Sequence, residues 1–181
     1  MNFFKTKKSL RSQCNLFAFP AYNGKKKELS LMYYTDSGKT AKSQTFEILK
    51  ELIEEAIKDE ILDSRYYLML AEAMADTEDR KIIIDLEADE EKHRHLLESI
   101  YSAMTGENPP HFDLPEIELP SDLTDALSEK IFDETDSLDF YTRLLSNLTE
   151  NDLRDILIEI IADESIHTGL LNYLFAKYKS E

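Results

Sequence analysis

The sequence predicts an all-α fold, an antiparallel four-helix bundle made of two duplicated helical hairpins joined by one long crossover. Three observations carry this. Four segments place apolar residues at alternating three- and four-residue spacing, the seam of a helical bundle. A stretch holding four of the five prolines divides those segments two and two. The second pair of segments repeats the first at a constant offset of 74 positions.

Composition agrees with that class. A chain of 181 residues is long enough for one domain with its own core. Hydrophobic residues at 42% and charged residues at 32%, with four Gly and no Trp, suit a helical protein better than a sheet protein. The single cysteine, Cys14, excludes an internal disulfide framework and any four-cysteine metal module within this chain, and points to a reducing, cytoplasmic location. No apolar run reaches the roughly eighteen residues that span a bilayer. The net charge of −16 is unevenly placed: residues 1–42 hold nine Lys or Arg against two acids, so residues 43–181 carry −23. An acidic body lacks the basic face that phosphate contacts need, so neither nucleic acid nor membrane is an expected partner.

Residues 1–42 show no sustained helical period, hold Gly24, Gly38 and the Lys25-Lys26-Lys27 run, and are expected to form a basic, poorly ordered extension. Its first fifteen residues are basic and free of acids, as in an organelle transit peptide, but the apolar stretch of a secretory signal is missing. Met32 offers a second possible start. From residue 43 the helical period takes over. The first seam reads Leu49, Ile53, Ala56, Glu60, Asp63, Tyr67, Leu70, Met74, and the second Ile83, Leu86, Glu90, His93, Leu97, Ile100, Met104. The third reads Leu127, Ile131, Glu134, Leu138, Tyr141, Leu145, Leu148, and the fourth Leu157, Ile160, Glu164, His167, Leu171, Leu174, Tyr178.

Short turns at Asp76 to Asp79 and at Thr149 to Asp152 are expected to fold each pair into a hairpin. Gly106 to Ser121, with Pro109, Pro110, Pro115 and Pro120, cannot be helical and serves as the crossover. At about 3.3 Å per residue it reaches about 50 Å, the length of a long bundle helix. Two hairpins with one such crossover make the ferritin-like topology.

The repeat equates Glu60 with Glu134, Tyr67 with Tyr141, Asp89 with Asp163, Glu90 with Glu164 and His93 with His167. Four Glu and two His therefore interrupt seams that otherwise carry apolar residues. An ionised carboxylate taken out of water costs several kcal/mol, and four facing one another repel unless cations neutralise them. Two divalent ions balance four carboxylates. Positions three apart share a helix face, so each Glu-x-x-His reaches one metal region. Oxygen and imidazole donors without thiolate suit iron first, with manganese the other choice. On this reading Glu60 and Glu134 are terminal ligands, Glu90 and Glu164 bridges, and His93 and His167 supply one imidazole each. Tyr67 and Tyr141 pack in the seam and stand where they can hydrogen-bond ligand carboxylates or relay electrons. His95 and His111 fall outside the seam and read as surface residues, and Asp63 as a partly solvated acid.

Glu60 with Tyr67, Glu90-Glu91-Lys92-His93, Glu134 with Tyr141, and Glu164-Ser165-Ile166-His167 are the marks by which residues 43–179 resemble the ferritin-like di-iron superfamily, and within it the rubrerythrin group. The resemblance implies a di-iron centre that reacts with hydrogen peroxide or oxygen in oxidative-stress defence. A related activity is oxidation of ferrous iron for storage, a ferroxidase role, and a hydroxylase role is less favoured because the bundle lacks a basic or membrane-inserting face. Two departures stand out. The four-cysteine, rubredoxin-like iron site usual in that group is missing, so an external electron donor such as a rubredoxin-like protein is expected. The additional ligand Glu three residues after the third-helix Glu is here Ser137, while Asp63 holds the equivalent place in the first helix. A homodimer is the expected assembly.

Overall fold

The computed structural model describes residues 41–180, with side chains from residue 45 onward. The expected basic extension lies almost wholly outside the described residues, as do Cys14 and Met32. Among the described residues there are four helices and no strand: α1 (Ala41–Ala73), α2 (Thr77–Thr105), α3 (Leu123–Leu145) and α4 (Asn151–Lys179). None is long and apolar enough to cross a membrane.

Helix ends follow from local chemistry. Asp76 caps α2, its carboxylate accepting the N–H groups of Glu78 at 2.8 Å and Asp79 at 3.1 Å, and Asp122 caps α3 in the same way through Thr124 and Asp125. Gly106 closes α2 with φ of 75°, a left-handed conformation that suits glycine, and donates its N–H to the Ser102 carbonyl. The turns sit slightly earlier than the sequence suggests. The first spans only residues 74–76, because Asp76 is the cap and Asp79 already belongs to α2, where it is buried and paired with Lys177 at 2.7 Å. The second spans 146–150, and Asp152 lies in the first turn of α4. Each turn is clamped by an arginine at equivalent places of the repeat. Arg80 donates to the carbonyls of Ala71 and Met74, and Arg154 to those of Leu145 and Leu148. These bonds satisfy carbonyls that a helix end leaves without partners.

The hairpins are α1 with α2 and α3 with α4, joined by the crossover over residues 106–122. Across the hairpins α1 packs on α3 and α2 on α4. Glu60 meets Tyr141 while Asp63 meets Lys130, and Asp89 meets His167 while His93 meets Asp163, so these contacts are antiparallel too. The result is the ferritin-like four-helix bundle. Its core has two apolar plugs. One gathers Ile53, Ile57, Leu97, Ile100, Tyr141 and Leu157, the other Tyr67, Leu70, Ile83, Leu127, Leu171 and Leu174. The repeat exchanges them, carrying Ile53 to Leu127, Leu97 to Leu171 and Ile100 to Leu174.

One seam differs from expectation. On α3 the buried residues include Lys130, Ser137 and Leu144, while Ile131, Leu138 and Leu145 are half-buried. The observed series Leu127, Lys130, Glu134, Ser137, Tyr141, Leu144, Leu148 is the α1 seam from Ile53 to Met74 moved by 74 positions. Helix rotation follows the duplication, and it overrides the preference of Ile and Leu for the interior. Asp63 is likewise buried rather than solvated, and it meets Lys130.

Candidate metal centre

Each helix delivers its polar residues at the level between the two plugs. Glu60 comes from α1, Glu90 and His93 from α2, Glu134 from α3, and Glu164 and His167 from α4. None is more than 3% exposed. Donor atoms of Glu60, Glu90, His93 and Glu164 all lie within 4.8 Å of one another, and so do those of Glu90, Glu134, Glu164 and His167. The six residues singled out in the sequence are thus brought together in two overlapping groups. Glu90 and Glu164 belong to both, the position that bridging requires, and Glu60 and Glu134 to one each.

Both imidazoles turn Nδ1 inward. His93 Nδ1 lies 3.2 Å from Glu90 Oε2 and 3.3 Å from Glu164 Oε1. His167 Nδ1 lies 3.0 Å from Glu90 Oε1 and 3.5 Å from Glu134 Oε2. The outward Nε2 atoms meet carboxylates: Asp163 at 3.2 Å from His93 and Asp89 at 3.4 Å from His167. A carboxylate on Nε2 keeps the proton there and leaves Nδ1 free to donate its lone pair to a metal. Lys92, half-exposed, lies 2.7 Å from Asp163 and 3.7 Å from Asp89, tying the two supports together. Asp89 and Asp163 were visible in the sequence as a repeated pair, but their task depends on how α2 faces α4.

The tyrosines cross between halves. Tyr67 of α1 donates its hydroxyl to Glu134, and Tyr141 of α3 donates to Glu60. Both are buried, which together with the neighbouring carboxylates pushes their hydroxyls well above the ordinary tyrosine range, so they stay protonated donors. Lys130 had no place in the sequence reading. It is fully buried, 2.8 Å from Asp63 and 3.4 Å from Glu134. His95 is exposed beside Glu98, and His111 is exposed in the crossover.

Without a metal the cluster divides its protons. Burial, with Glu90 beside Glu60 and Glu134 beside Glu164, pushes Glu60 and Glu164 well above the carboxylate range. Burial acts the same way on Glu134, but the Lys130 ammonium and the contacts with Glu164 and His167 win and hold it well below. Against burial and the charge of Glu134, the two imidazoles bring Glu90 down to about 2. Burial lowers His167, yet Glu134 and Glu90 carry it up to about 10. Even so, Glu90 Oε1 and His167 Nδ1, 3.0 Å apart, and Glu164 Oε1, 3.3 Å from His93 Nδ1, are buried with no well-directed hydrogen bond. Buried polar atoms so poorly satisfied carry an energetic cost. Here they are carboxylate oxygens and an imidazole nitrogen converging on one place, a donor set that fits divalent iron or manganese.

The comparisons with known proteins agree with this architecture. The family model described as Rubrerythrin matches residues 51–179. A solved structure of a hypothetical protein from Pyrococcus furiosus is similar at 25% identity and a TM-score of 0.65, covering 73% of this chain and 90% of that one. No curated protein matches the chain.

Proposed function

We propose that this chain, which belongs to the rubrerythrin family, is an oxidoreductase that uses two iron ions, or two manganese ions, to react with hydrogen peroxide or oxygen. Glu60 and His93 would hold one ion, Glu134 and His167 the other, with Glu90 and Glu164 between them. The observation that carries the reading is the pair of overlapping donor groups sharing those two glutamates. Two ferrous ions held there would supply the two electrons that, with two protons, reduce one hydrogen peroxide to two waters.

The chain's own residues account for the rest. The apolar plugs on either side exclude bulk water from the cluster. That strengthens each charge interaction inside and limits side reactions. Tyr67 and Tyr141 hold Glu134 and Glu60 by their hydroxyls, keeping one oxygen of each carboxylate occupied. Asp163 and Asp89 fix the imidazoles with Nδ1 toward the glutamate cluster, where it would serve as a ligand. Each cycle consumes two electrons, so we assign the resupply to an external donor such as a rubredoxin-like protein.

The test is to load anaerobically prepared protein with ferrous iron and mix it with peroxide and, separately, with oxygen. Faster oxidation by peroxide, in a protein that sediments as a dimer, is the expected result. Faster oxidation by oxygen, with ferric iron accumulating in a large assembly, would replace it with ferroxidase and storage chemistry.

A further inference from the structure

The duplication is broken at one buried place beside the candidate centre. At the 74-residue offset Ala56 corresponds to Lys130 and Asp63 to Ser137. All four are buried, and the two charged members, from α3 and α1, meet with Nζ 2.8 Å from Asp63 Oδ1. The same ammonium lies 3.4 Å from Glu134 Oε1 and faces the Tyr67 ring at 4.9 Å. Glu134 is therefore approached by a tyrosine hydroxyl and a cation. Glu60, its counterpart, has the hydroxyl of Tyr141, with Ala56 where the repeat places the ammonium.

Stability does not explain the pair. A buried ion pair is often no better than apolar residues of the same volume, and the other half fills the equivalent space with Ala and Ser. The effect on neighbouring charge is not optional. In a water-poor interior an ammonium draws on the carboxylate it touches and repels any cation brought to it.

We propose that Lys130, held by Asp63, makes the two metal positions unequal, so that the Glu134–His167 position binds its divalent ion more weakly than the Glu60–His93 position. The centre then fills in order, Glu60–His93 first. This rests on the metal-centre reading above. Lys130 acts through Glu134 and is a positioning residue.

The experiment measures Mn2+ binding under anaerobic conditions from the electron paramagnetic resonance signal of the free ion. Two backgrounds isolate the positions: Glu60→Ala leaves Glu134–His167, and Glu134→Ala leaves Glu60–His93. In the first, Lys130→Met with Asp63→Asn, which keeps the core filled, tightens Mn2+ binding about tenfold. In the second, the same pair gives no tightening, since Asp63, whose charge also acts on Glu60, is lost there. Lys130→Ala with Asp63→Ser, which copies the other half of the repeat, gives the same ordering by a second route. Equal changes in both backgrounds, as a merely structural role produces, or weaker binding in the first, would overturn the inequality while leaving the metal centre standing. A wild-type protein that binds no Mn2+, ferrous iron or other divalent ion would overturn the centre and the inequality together.

Discussion

Replacing Glu90 and Glu164 together by alanine is expected to abolish binding of both metal ions while the bundle stays folded. Each of these carboxylates belongs to both donor groups, so the double change removes two ligands from each position. Loss of a mere supporting partner costs about 10–100-fold in metal affinity, and loss of two direct ligands exceeds that. The fold survives because Glu90 and Glu164 are polar groups buried at an energetic cost, and the apolar plugs that hold the helices together do not include them. Elemental analysis after dialysis measures the effect, with circular dichroism to confirm the helices. Glu60→Ala or Glu134→Ala alone is expected to retain one ion. A double variant that still holds two ions would place the metal elsewhere.

Metal-free stability and metal affinity are expected to respond to pH in opposite directions. Glu60 and Glu164 keep their protons well above the carboxylate range in the folded chain, whereas in the unfolded chain they release them near pH 4.3, roughly. Their contribution to stability is complete below that pH and is lost as pH rises. His167 adds to the trend between 6.5 and about 10, where the folded chain holds a proton that the unfolded chain has released. Glu90, held down at about 2, and Glu134, held well below the carboxylate range, contribute in the other sense, but only where pH falls below that range. Each retained proton lowers metal-free stability by about 1.4 kcal/mol per pH unit. Metal ions need those same sites deprotonated, so their affinity climbs with pH. Calorimetry from pH 5 to 8 is expected to show the melting temperature falling in chelator, with the gap between chelator and saturating Mn2+ widening. Glu60→Gln with Glu164→Gln should flatten the chelator series below about pH 6.5 and leave the fall that His167 contributes above it. A metal-free melting temperature that rises across this range would contradict the proton distribution.

Much of this was legible in the sequence because the bundle is a duplication. The prolines of the crossover separate the hairpins, and the six Glu and His residues are conspicuous where a seam calls for Leu or Ile. What escaped was rotation. On α3, residue type favoured Ile131, Leu138 and Leu145 for the interior, but the offset from α1 selects Lys130, Ser137 and Leu144, and the structure follows the offset. A residue-type reading cannot find a buried lysine whose partner, Asp63, lies 67 positions away on another helix. Arg80 and Arg154 repeat at the same offset as well, yet their bonds to turn carbonyls depend on where the turns close. Asp89 and Asp163 gain meaning only once α2 and α4 are antiparallel neighbours.

Anomalous diffraction from crystals loaded with ferrous iron, or with Mn2+, tests the central claim most directly. Two peaks about 3.5–4 Å apart, between the carboxylates of Glu90 and Glu164 and each within reach of one histidine Nδ1, are the result this account predicts. Peaks confined to the acidic surface, with none inside the bundle, would contradict it.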